Sequence, residues 1–101
     1  MNKPIQDVFQ NARKSAKAEK KAAKFEKKVA RAERRVTKAH AKLAWRKAGV
    51  EQAQSEGDQK RLATANVRLK LADARLAVRQ AKLEASRLRH ETMRARAASV
   101  A

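Results

Sequence analysis

Residues 16–43 read AKAEKKA (16–22), AKFEKKV (23–29), ARAERRV (30–36) and TKAHAKL (37–43), four versions of one seven-residue unit. The third and seventh positions of each unit are small or apolar: Ala18, Ala22, Phe25, Val29, Ala32, Val36, Ala39 and Leu43. Spacings that alternate between four and three put these residues on one stripe of an α-helix, the seam of a coiled coil. With Val29 at heptad position a, position e carries Glu19, Glu26 and Glu33. Position c carries Lys17, Lys24, Arg31 and Lys38. Position f carries Arg13, Lys20, Lys27 and Arg34, and position g carries Lys14, Lys21, Lys28, Arg35 and Lys42. These three positions adjoin one another around a helix, so thirteen bases form one stripe facing away from the seam.

The second half also repeats in sevens, with two apolar stripes on opposite faces of one helix. The first is Leu62, Ala65, Leu69, Ala72, Leu76 and Leu83; the second is Val67, Leu71, Ala74, Val78, Ala81, Ala85 and Leu88. Between them runs a basic column, Arg61, Arg68, Arg75, Lys82, Arg89 and Arg96. One stripe suffices for an intramolecular partner. The other, left bare, predicts self-association of helix 2 with helix 2 into a four-helix assembly.

Turn signals cluster only between Gly49 and Asp58. Gly49 followed by Val50 suits a helix C-terminus, and Ser55 with Asp58 has the spacing of a capping box. The expectation is an all-α chain forming one helical-hairpin domain over 1–101. Helix 1 is placed at about 5–48, the turn at 49–55 and helix 2 at about 56–98. So short a loop makes the helices antiparallel. A turn there implies that facing residues have numbers adding to about 108. Val36 then meets Ala72, Ala39 meets Leu69, Leu43 meets Ala65, Ala32 meets Leu76 and Phe25 meets Leu83. Glu33 lies by Arg75, Glu26 by Lys82 and Glu19 by Arg89. Val29 falls opposite Arg79, whose stem would cover it while its head reaches water.

Lys and Arg number 27 against 10 acids, a net charge of +17 that repels itself and calls for a polyanionic partner. Residues 1–50 carry +12 of it and residues 51–101 the remaining +5, so helix 1 is the expected contact surface and helix 2 the assembly surface. A chain with three aromatic residues has no thick core, and one with no cysteine has neither disulfides nor thiolate metal sites. No apolar run approaches the ~20 residues of a membrane span. The N-terminal MNKPIQDVFQ lacks the apolar stretch of a secretory signal. The expected location is the cytoplasm: that of a host if the gene is viral, or the nucleoid if the ligand is DNA.

Outward Lys and Arg neutralise phosphates and release condensed counterions without a pocket or a base contact. Asn and Gln, which read adenine edges, are few on the stripe. Sequence-nonspecific binding of DNA or structured RNA is therefore expected. The contacts are assigned to Arg13, Lys14, Lys17, Lys20, Lys21, Lys24, Lys27, Lys28, Arg31, Arg34, Arg35, Lys38 and Lys42. Trp45, at a c position in line with Lys24, Arg31 and Lys38, is the one candidate platform for base stacking. Its other reading is packing against the hairpin end or a dimer partner.

A solvated helical face is the plain alternative for any charged stripe, but solvation alone favours mixed signs. The competing functions are a small interaction module or inhibitor docking on an acidic protein, such as a polymerase or another nucleic-acid-handling machine, and a component embedded in ribosomal RNA. A membrane surface suits the charge but not the alanine-rich seam of helix 1. No catalytic constellation, metal site or cofactor is expected: His40 and His90 are the only histidines, and carboxylates spread along two helices do not converge. Glu51, Glu56 and Asp58 invert the charge sign at the turn. In architecture and tip charge this resembles the coiled-coil factors that enter the secondary channel of bacterial RNA polymerase. A dimer of hairpins resembles the small plasmid-encoded helical hairpins that bind paired RNA loops.

Overall fold

A computed structural model describes the backbone of residues 3–100 and the side chains of residues 7–99. Two long α-helices account for it, α1 at Lys3–Glu56 and α2 at Gln59–Val100, with no strand among the described residues. The chain divides into two compact units: a turn unit, Ala32–Leu83, and a terminal unit made of Met1–Arg31 and Glu84–Ala101.

In the turn unit, α1 runs straight through Gly49 and the expected turn at 49–55, and ends at Glu56. A glycine in a helix interior costs about 1 kcal/mol relative to alanine, too little to stop a helix that gains by continuing. The gain is visible in the seam, where Val50 is half-buried and Ala53 buried beyond the glycine. The stop comes at Gly57, the only positive-φ residue described, with φ of 69°. Its amide donates to the Gln54 carbonyl at 3.2 Å, the bond that closes a helix ended by a left-handed glycine.

Asp58 then starts α2. Its Oδ1 accepts from the amides of Lys60 at 3.1 Å and Arg61 at 3.2 Å, satisfying two donors that a helix N-terminus otherwise leaves open. The expected capping box does not form: Ser55 Oγ donates instead to the Gln52 carbonyl at 2.8 Å, inside α1. Helix 2 thus begins at Gln59, not near 56.

Moving the turn moves the register. Glu56 and Gln59 flank it, so facing residues have numbers adding to 115, as theirs do, and the pairing near 108 is displaced by one heptad. In the turn unit Leu43 stands opposite Ala72, Ala39 opposite Leu76, Ala32 opposite Leu83 and Val50 opposite Ala65. Val36 stands opposite Arg79, which is half-buried. In the terminal unit Ala18 stands opposite Ala97, Ala22 opposite Met93, Phe25 opposite His90 and Val29 opposite Ser86. Every one of these eighteen residues is buried or half-buried. The pairs Val36–Ala72, Ala39–Leu69, Leu43–Ala65, Ala32–Leu76, Phe25–Leu83 and Val29–Arg79 are therefore replaced.

Both seams are those the heptads predict, and both are thin. Among the described residues the buried ones are Ala22, Ala53, Ala72, Leu76, Leu83 and Ala97, and no large side chain is fully enclosed. Alanine at the contact lets helices approach closely but removes little apolar area from water. Large apolar side chains remain outside: Val67, Leu71 and Val78 on the turn unit, and Leu88, Val8 and Phe9 on the terminal unit. No helix is long and apolar enough to cross a membrane among the described residues.

Candidate nucleic-acid interface

The α1 stripe is built by helical periodicity alone, and each unit presents its own share. On the terminal unit Arg13, Lys14, Lys17, Lys20, Lys21, Lys24, Lys27, Lys28 and Arg31 are all exposed; on the turn unit so are Arg34, Arg35, Lys38 and Lys42. None of the thirteen is held in an ion pair among the described residues. Two of them lie over rings: Lys28 Nζ is 4.8 Å from the centre of Phe25, and Lys42 Nζ is 5.1 Å from the centre of Trp45.

The turn shows which flank of the seam each charged column borders. In an antiparallel pair, residues beside the seam meet their own kind, e with e and g with g. In the terminal unit Glu26 therefore meets Arg94 across the e flank, Oε2 to Nη2 at 3.3 Å, and not Lys82. In the turn unit the register puts Lys47 and Asp73, opposite in sign, on the same flank. Glu33 does not border Arg75, nor Glu19 Arg89, because those arginines belong to the other flank.

That other flank is basic on both helices. By the register, Arg35 and Arg75, and Lys42 and Arg68, fall on this flank in the turn unit, and Lys21 and Arg89, and Lys14 and Arg96, in the terminal unit. All eight are exposed. Like charges set side by side lower stability, so this flank works against the hairpin unless an anion lies along it. The α2 column thus adds residues that reading the sequence assigned to no ligand. The signal was present in its unbroken basic run, but its flank follows only from the turn position.

Beside the turn, the basic flank opens into a groove of about 550 Å³. From α1 it is lined by Trp45, Arg46, Gly49, Gln52, Ala53 and Glu56, and from α2 by Lys60, Arg61, Thr64, Ala65 and Arg68. Trp45 is 61% exposed, so the packing role considered for it is not taken within the chain. The Arg46 guanidinium lies 4.5 Å from its ring centre. Cations within about 6 Å of an indole face are attracted by its quadrupole.

Glu56 and Asp58 at the turn are occupied locally. Glu56 Oε2 binds Arg61 Nη1 at 3.1 Å, Asp58 Oδ2 lies 3.6 Å from Arg61 Nε, and Gln52 donates to Glu56 Oε1 at 3.2 Å. Among the described residues no cluster of His, Asp or Glu is placed to hold a metal ion. His90 lies in the terminal-unit seam opposite Phe25 rather than Ala18, its Nε2 buried without a hydrogen-bond partner. His40 is exposed on the e flank, away from Arg68.

Fold and charge together define a class: an all-helical chain whose helices meet along thin alanine-rich seams and present unpaired cations to solvent. Compared with known protein families, curated proteins and solved structures, the chain finds no match.

Proposed function

We propose that this protein binds DNA or structured RNA through the phosphate backbone, without sequence specificity and without catalysis. The observation that carries the reading is the bare basic flank. Bases on α1 border bases on α2 within each unit, exposed and without acidic partners, while the opposite flank carries complementary charge. A surface selected only for solubility would mix its signs. A polyanion is the ligand class that relieves repulsion on this scale, because phosphates sit at short, regular intervals along the strand. Arg68, Arg75, Lys82, Arg89 and Arg96 join the thirteen α1 bases as phosphate contacts.

Self-association is part of the proposal. Val67, Leu71, Val78 and Leu88 are between 53% and 59% exposed, and they lie on the α2 face turned away from the seam together with Ala74, Ala81 and Ala85. A second copy covering that face would remove large apolar side chains from water and leave the α1 bases outside.

The test compares the wild type with a variant carrying Lys24→Glu, Arg31→Glu and Lys38→Glu, titrated into labelled duplex DNA and hairpin RNA at low salt. The variant is expected to lose affinity at least tenfold for every polymer alike, since phosphate contacts carry no sequence information. Unchanged affinity would remove the α1 stripe from the interface. Absence of binding by the wild type would move the function to an acidic protein partner.

A further inference from the structure

We infer that the groove beside the turn is a site for one unpaired nucleotide, with its base stacked on Trp45 and its phosphate held by Arg68 and Lys60. The inference rests on the reading of the basic flank as a nucleic-acid surface, and it adds a ligand class that uniform backbone binding does not require.

Three observations converge on it. The groove is about 550 Å³, within the ~300–1,000 Å³ typical of small-ligand sites. Its one aromatic ring is exposed, and a planar guanidinium, that of Arg46, already lies 4.5 Å from the ring centre. That group occupies the place a base would take, on a flexible side chain that can swing aside to meet a phosphate. Arg68 and Lys60 line the same groove from α2 and are free of ion pairs among the described residues, whereas Arg61 is already held by Glu56 and Asp58.

Gly49 adds a further observation. It interrupts the g column of Lys14, Lys21, Lys28, Arg35 and Lys42, inside a helix that would be more stable with alanine there. Packing does not demand it, since a Cβ at this position would meet nothing within 4 Å. It has helical backbone and no left-handed φ to satisfy. What the missing side chain does provide is open space on the groove wall beside Trp45 and Arg46. A duplex interior keeps its bases stacked on each other and cannot fill that space. An unpaired base in a loop, a bulge or a single strand can.

Trp45 is the only tryptophan, so its emission reports on this site alone. The full chain is titrated with a short single-stranded oligonucleotide and with a blunt duplex of equal length, following anisotropy and tryptophan emission together. The single strand is expected to quench Trp45 in step with binding, and the duplex to bind with little quenching. Trp45→Leu should weaken the single strand by about 5- to 160-fold, the usual range for losing one base–aromatic stack, while leaving duplex affinity within about twofold. Gly49→Gln should raise the melting temperature and abolish the quenching, which separates a blocked groove from an unfolded protein. Single-strand binding with unaltered emission, or Trp45→Leu affecting both polymers equally, overturns the site and leaves backbone binding standing. If neither polymer binds, the functional reading falls as well.

Discussion

Gly49 and Gly57 have the same side chain and opposite effects. At Gly57 the φ of 69° is a conformation that L-residues adopt at a cost, and the helix ends there. At Gly49 the backbone is helical and the space around the missing Cβ is empty. Gly57→Ala should therefore lower stability by about 1–2 kcal/mol, and Gly49→Ala should raise it by up to about 1 kcal/mol. Urea denaturation of the two variants checks the pair, and the reverse order of effects would place the turn at Gly49. His90 is a second residue with a definite cost. Its buried Nε2 has no partner, and a buried unsatisfied polar atom typically costs about 1–3 kcal/mol. His90→Leu keeps the seam filled and removes that atom, so its urea midpoint should exceed that of the wild type.

For each helix, the face that is buried was legible in the sequence, because seven-residue spacing carries that information without reference to a partner. Ala18, Ala22, Phe25, Val29, Ala32, Val36, Ala39 and Leu43 are all withdrawn from solvent, as are Leu62, Ala65, Leu69, Ala72, Leu76 and Leu83. The register was not legible, for the same reason. Two heptad seams slipped by seven residues again set apolar on apolar, so only the turn chooses between registers. The turn was misplaced because Gly49 with Val50 has the form of a helix end, while the seam that continues through Val50 and Ala53 outweighs it. Glu19, Glu26 and Glu33 form an e column while Arg89, Lys82 and Arg75 form a g column, and the two lie on opposite flanks, so their matching signs carry no information about register.

Cross-linking separates the registers. Leu43→Cys with Ala72→Cys should close a disulfide, and Val36→Cys with Ala72→Cys should not, since a heptad offset of about 10 Å exceeds the span of the bond. Charge reversal tests the flank. Arg75→Glu creates an attractive pair with Arg35, so it should raise stability by a few tenths of a kcal/mol while weakening nucleic-acid binding. A substitution that stabilises the fold and weakens the ligand cannot be explained as unfolding.

The molecule as a whole has little buried apolar area and much bare charge, so what it binds should contribute to its stability. Thin alanine seams leave the helices marginal alone, and a ligand that binds only the folded form adds stability by mass action. On the proposal that α2 pairs with a second copy, its exposed apolar face would add a second such contribution. Leu71→Glu with Val78→Glu should convert an oligomer into a monomer in sedimentation at tens of micromolar, with helicity falling at the same time. A wild type that already sediments as a sharp monomer would remove that part of the account.

The central claim is that unpaired cations on these helices exist to meet phosphates, and the salt dependence of binding tests it most directly. Affinity for duplex DNA, single-stranded DNA and structured RNA would be measured by anisotropy across a range of salt concentrations. Each neutralised phosphate contributes about −0.9 to the slope of log K against log salt on duplex DNA, so six to eight contacts predict a slope of about −5 to −7. Tight binding at low salt with a slope of that size is the predicted result. A slope near zero, or no binding to any polymer at low salt despite a charge of +17, would contradict the account.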